Sequence, residues 1–167
     1  MSQPLHRSRL WLLLVALSVA VPAAAAEEWQ TYNNERYGFS LKYPSSVFAV
    51  ERTAEAGDGK LFVAKDGEAR LLVGSLRNDS NFTPAAYQAY IARNSYADYR
   101  ISYRRRGGSW FALSGEGNGR IFYEKAMFSC AGQRIDSFAL IYPAHQRRVF
   151  DPIVERIEDT FRSGSKC

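Results

Sequence analysis

RISYRRRGGSWFALSGEGNGRIFYEKAMFSCAGQRIDSFALIYP, residues 100–143, is the stretch from which the fold follows. Four runs rich in aromatic and branched residues lie in it, at 100–106, 109–115, 120–130 and 134–143. The gaps between them are short and carry glycine: Gly107-Gly108, then EGNG at 116–119, then Ala131-Gly132 or Gly132-Gln133. Such runs read as strands joined by tight turns. Strands joined that way run antiparallel, because a parallel partner requires a long crossover. The stretch predicts a four-strand antiparallel meander and excludes a parallel dinucleotide-binding sheet. Within 109–115, Phe111 and Leu113 share one face and are expected inside. Trp110, Ala112 and Ser114 share the other, and Trp110 is left open as a surface aromatic.

Toward the N-terminus, Thr83-Pro84 marks a helix start, with the hydroxyl as cap and proline at the first helical position. That helix is expected over about 84–94, with Tyr87, Tyr90 and Ile91 on one face. The polar loop before it, 77–83, holds Asn78-Asp79-Ser80 and Asn81-Phe82-Thr83, both of the glycosylation-acceptor pattern. KLFVA (60–64) and ARLLVGSL (69–76) flank Asp66-Gly67, a hairpin signal. Residues 53–59 read as a loop. In YGFSLKYP (37–44), Tyr37, Phe39, Leu41 and Tyr43 alternate with smaller or polar residues, and Pro44 ends the strand. VFAV (47–50) reads as a short continuation, and 27–34 as extended chain.

Toward the C-terminus, Phe150, Ile153, Val154, Ile157 and Phe161 form one apolar stripe in a helix expected over about 146–162. Pro152 blocks an interior helical hydrogen bond. The firm helix is therefore expected to begin near Asp151, with Asp151 as cap, Glu155 as its capping-box partner, and a looser turn at 145–150. The element order is strands, helix, strands, helix. The fold class is α+β, a central antiparallel β-sheet flanked by helices.

Residues 1–26 have the layout of a secretory signal peptide: Arg7 and Arg9, then LWLLLVALSVAV, then small residues up to Ala26. The apolar run is too short for a membrane span, which needs about 20 residues. Cleavage is expected after Ala26, leaving one domain over 27–167 in the periplasm or outside the cell, with no transmembrane anchor. Losing Arg7 and Arg9 from 22 Lys+Arg leaves 20 basic against 17 acidic residues, a balance of +3. That is no nucleic-acid footprint. Cys130 and Cys167 form an even pair in an oxidising compartment, which suggests a bridge, the alternative being two free thiols. Two cysteines and one mature histidine are too few for a structural zinc site, so no metal or cofactor is expected.

Candidate chemistry is sparse. His145 is the only histidine after the leader, and no Gly-x-Ser-x-Gly elbow accompanies it. Glu116, Glu124 and Asp136 could supply a carboxylate pair for envelope glycan cleavage. Residues 115–119, GEGNG, look like a phosphate loop, but a strand follows where the chemistry needs a helix N-terminus. Arg100, Arg104, Arg106, Arg147 and Arg148 could form an anion-binding face. Successive strand residues alternate sides, so at most two of Arg104-Arg105-Arg106 share one, and the competing reading is a solvated strand end.

YNNERYGFSLKYPSSVF (32–48) resembles the opening of PsbP-like domains, the group of PsbP, the Mog-type proteins and periplasmic DcrB. Those openings run through a polar turn, Tyr-Gly-Phe, a short strand and Tyr-Pro. DPIVERIEDTFR (151–162) resembles the closing helix of the same group. Elsewhere the likeness is one of element order. It implies an α/β/α sandwich and a binding or assembly role without an active site, in a bacterial envelope branch. The expected function is a non-enzymatic binding or assembly-accessory domain whose partner is a protein or an anionic envelope component. The alternatives are a carboxylate-dependent envelope hydrolase and a passive structural envelope protein.

Overall fold

The structure, a computed structural model, describes residues 28–167. The signal peptide read at 1–26 lies outside the described residues. In chain order come β1 (Trp29–Asn33), β2 (Ser40–Pro44), β3 (Phe48–Thr53), β4 (Gly59–Ala64), β5 (Arg70–Arg77), α1 (Pro84–Asn94), β6 (Arg100–Arg106), β7 (Trp110–Gly117), β8 (Arg120–Ser129), β9 (Arg134–Pro143) and α2 (Arg147–Thr160). Seven strands form one sheet in the order β3-β4-β5-β9-β8-β7-β6, every pair antiparallel. The meander read from 100–143 is present as β6–β9. The other half, β3–β5, joins it through β5 and β9 alone.

Two expectations need correction. VFAV does not continue the strand before it. Residues 48–53 are β3, at one edge of the main sheet, while β2 pairs with β1 in a separate hairpin. The last helix begins at Arg147, not near Asp151, and Pro152 lies inside it. Pro152, Arg148 and Val149 are all exposed, so the carbonyl that proline leaves unpaired faces water. The opposite stripe, Phe150, Ile153, Val154 and Ile157, is buried. Asp151 is no cap: it accepts the Tyr142 hydroxyl at 2.6 Å.

Strand alternation sorts the core into two layers. One holds Phe138, Leu140 and Tyr142 of β9 with Ile121 and Tyr123 of β8, under the α2 stripe and under Phe39, Leu41 and Tyr43 of the small hairpin. The other holds Ile135 of β9, Phe122 and Ala126 of β8, and Phe111 and Leu113 of β7, under Ile91 of α1. The helices therefore cover opposite faces, an α/β/α arrangement. Phe111 and Leu113 are fully buried, as their alternation required. Trp110 is half-buried in the α2 layer, with the Lys125 ammonium 5.3 Å from its ring centre.

Thr83 caps α1, its hydroxyl accepting the Ala86 N–H at 3.2 Å. Gln88 is buried, and its amide donates to the carbonyls of Arg105 (3.1 Å) and Ala112 (3.0 Å), pinning α1 on β6 and β7. The EGNG loop is a hairpin turn with Asn118 and Gly119 at φ 52° and 71°, as a two-residue turn between antiparallel strands demands. Asn78 is a turn residue, its amide donating to the carbonyls of Phe82 (2.9 Å) and Gly132 (2.8 Å). Cys130 and Cys167 form a disulfide across a separation of 37 residues.

Asp136 anchors the tail. It is fully buried and accepts from the Ser75 hydroxyl (2.6 Å), the Ser129 hydroxyl (2.9 Å) and the Gly164 N–H (2.8 Å).

Candidate functional site

The two faces of the sheet are covered unequally. The α2 face carries a helix and a hairpin, whereas the α1 face carries one helix, packed over β6 and β7. Directly opposed residues share a face. The pairings therefore trace one row across the α1 face: Arg52, Leu61, Leu72, Ala139, Glu124, Leu113. From Leu113 this row runs under α1. From Glu124 back to Arg52 it is open, a span of four strand spacings or about 19 Å.

The open part is a trough of about 650 Å³ lined by Leu61, Leu72, Leu76, Ala139, Ile141 and Glu124 among others. Leu72 and Leu76 are 43% and 42% exposed, values that mark an apolar surface without cover. A parallel row of small residues, Gly59, Gly74 and Ser137, deepens the floor. Gly59 has no alternative there, since a Cβ would stand 2.7 Å from the Val73 carbonyl oxygen.

Glu124 closes the trough beside the end of α1. It is 8% exposed, and its Oε2 accepts the Tyr96 hydroxyl at 2.6 Å. Tyr96 is held flat on Phe122, with ring centres 3.5 Å apart. Burial pushes the Glu124 carboxyl from 4.5 up to about 7, opposed only by the Tyr96 hydrogen bond. Burial and the neighbouring Glu124 charge raise Tyr96 in turn, and lift Tyr87 to about 12. Among the described residues no lysine, arginine or histidine forms an ion pair with Glu124. Two acids on the α2 face differ: Glu158 meets Lys125 at 3.0 Å and takes the Tyr123 hydroxyl, and Glu116 meets Arg147 at 2.8 Å.

The residues singled out from sequence are spread over the molecule. Arg104 and Arg106 pair across to Leu113 and Phe111 and so face the α1 side. Arg100 pairs with Glu116 on the α2 side, near Arg147. Arg148 lines a separate groove with Trp29 and Arg156. These five arginines do not share one face. Glu116 and Asp136 lie on the α2 side and Glu124 on the α1 side, so the three acids do not converge as paired carboxylates must. His145 is exposed where the chain enters α2. Among the described residues no group of three or more His, Cys, Asp or Glu could hold a metal ion.

Leu72, Leu76 and Tyr96 line the trough without belonging to any motif of the sequence. The available signal was ARLLVGSL itself, which is apolar on both faces of β5.

No protein-family model matches the chain, and no curated protein does. Solved structures do. Cyanobacterial PsbP (CyanoP) from Synechocystis superposes with a TM-score of 0.59 at 12% identity, over 86% of this chain and 97% of that one. The Ran-binding protein Mog1p of Saccharomyces cerevisiae gives 0.60 at 9% identity, over 83% and 96%. At such identities the likeness is one of fold, and the fold is PsbP-like.

Proposed function

We propose that this chain is a non-catalytic binding or assembly-accessory domain, that it works outside the cytoplasm, and that it takes its partner on the uncovered part of the sheet. The observation that carries the reading is the exposed Leu72–Leu76 surface running up to buried Glu124. An apolar floor with a few polar groups in its lining, here Glu124, Tyr96, Arg52 and Asp58 among them, is the usual form of a binding site. The neighbour described as Ran-binding supports a protein partner for this fold, by analogy alone.

Export is supported by the leader read at 1–26 and by the Cys130–Cys167 bridge, since such bridges persist in oxidising compartments. Among the described residues no helix is long and apolar enough to cross a membrane. The mature domain is 27–167 on this reading, and N-terminal sequencing of the purified protein should begin at Glu27. Retention of Met1 would end it.

The binding site is tested by crosslinking intact cells with a membrane-impermeant reagent. The native chain gives a discrete heavier adduct, and L72D/L76D, altered at two exposed positions, does not. Equal adducts from both would overturn the site.

A second contact is favoured by one observation: among the described residues Arg104 and Arg106 have no acidic partner. The two form the part of the arginine group able to meet an anionic envelope surface together.

A further inference from the structure

We infer that the trough seats an amphipathic helix of another protein, and that a lysine or arginine on that helix pairs with Glu124. This rests on the binding reading above and adds the chemistry of the occupant.

The floor excludes an extended occupant. β4, β5 and β9 are interior strands whose N–H and C=O groups are engaged in ladders on both sides. The trough therefore offers side chains only. A strand laid over it would bury its own backbone groups unpaired, at about 1–3 kcal/mol each. A helix satisfies its own.

The dimensions suit one helix. The axes of β4 and β9 lie two spacings or about 10 Å apart, and a helix with its side chains is about 10–12 Å across. Leu72 and Leu76 stand about 13 Å apart along β5, the rise of about nine helical residues. On the other half of the same face α1 already covers the sheet in this manner. A small molecule fits less well. Good pockets enclose about 70–90% of such a ligand, whereas this trough stands open above two leucines that are each more than two-fifths exposed.

Charge specifies the rest. A carboxylate that is 92% removed from solvent and has no cation is costly. Its environment is Tyr96 with Ser95 at the end of α1, Tyr87 within α1, apolar Leu113 and Ala139 on the flanking strands, Arg104 beyond Leu113, and Arg52, Asp58 and Lys60 toward the β3–β4 end of the trough. None of these basic groups forms an ion pair with Glu124. A basic side chain arriving on a partner helix completes the pair, and an acidic or uniformly apolar helix does not.

A photo-crosslinking amino acid at Leu72, in the full chain expressed in its own cells, tests this by mass-spectrometric mapping of the adduct. The expected adduct is a segment of another polypeptide with apolar residues at helical spacing and a lysine or arginine within one turn. A synthetic peptide of that segment should bind the purified protein about 30-fold more tightly than its Lys→Met or Arg→Met form, and E124Q should abolish the preference. An adduct to lipid, to a second copy of this chain, or to a segment without a basic residue overturns the inference and leaves the binding reading standing. So does a preference that survives in E124Q. No adduct at all overturns both.

Discussion

Replacing Glu124 by glutamine should remove a pH dependence from the stability of the whole domain. The carboxyl titrates at 4.5 in its ordinary state and at about 7 when folded, raised by burial. Between those values the folded chain holds a proton that the unfolded chain has lost. Stability on this account is full below pH 4.5, falls as pH rises through the window, and levels off above about 7. A displacement of 2.5 units at 1.36 kcal/mol each gives about 3 kcal/mol. Glutamine can still accept the Tyr96 hydroxyl but does not titrate. E124Q should match the native protein within about 1 kcal/mol near pH 4 and exceed it by about 3 kcal/mol at pH 8. Urea unfolding of both proteins from pH 4 to 8.5 measures this, and subtracting one curve from the other cancels every other titrating group. A difference that stays flat across the range would mean that Glu124 is already compensated in the folded chain and does not titrate between 4.5 and 7.

Removing the Asp136 carboxylate in D136A strands two hydroxyls and the Gly164 N–H at a fully buried point. Urea unfolding should show a loss of at least about 3 kcal/mol, and a loss below about 1 kcal/mol would mean that the site relaxes to admit water. In C130S/C167S, opening the 37-residue loop should lower stability by about 2–4 kcal/mol in the chain-entropy model. Oxidised and reduced samples of the native protein should differ by the same amount. R104S/R106S should unfold within about 0.5 kcal/mol of the native protein, since both side chains are exposed. Its retention on anionic vesicles should drop several-fold at low salt and match the native protein at high salt; unchanged retention at low salt would end the reading of an anionic contact.

The fold was legible where local chemistry decides it. Period-two alternation and glycine turns announce β6–β9, and Thr83-Pro84 announces α1 to the residue. Pro152 misled because the rule against interior proline treats the backbone alone. Here the exposed back of α2 gives the orphaned carbonyl to water while the buried stripe holds the helix. Gln88 was invisible in an alanine-rich helix, because its partners are carbonyls on strands that only tertiary packing brings there. The site was hidden for a related reason. Leu71 and Val73 on one face of β5, and Leu72 and Leu76 on the other, read alike as core. Whether a helix lies over either face depends on where α1 and α2 dock, and no local pattern in β5 encodes that. Glu124 stood out as an acid in an apolar run, but as half of a hydrolytic pair; only the register sets it on the opposite side from Glu116.

One feature of the strand order bears on how the molecule comes into being. β9 is the single seam between β3–β5 and β6–β8, and its partner β5 precedes it by some sixty positions, Arg77 opposing Arg134 and Arg70 opposing Ile141. Pairings so remote in the chain are slow to form. Synthesis arrested before residue 134 would leave two unattached fragments of pleated chain, each with an unmet edge. A polypeptide built this way stays unlocked until its last strand emerges, and only then can the two halves close into one continuous sheet.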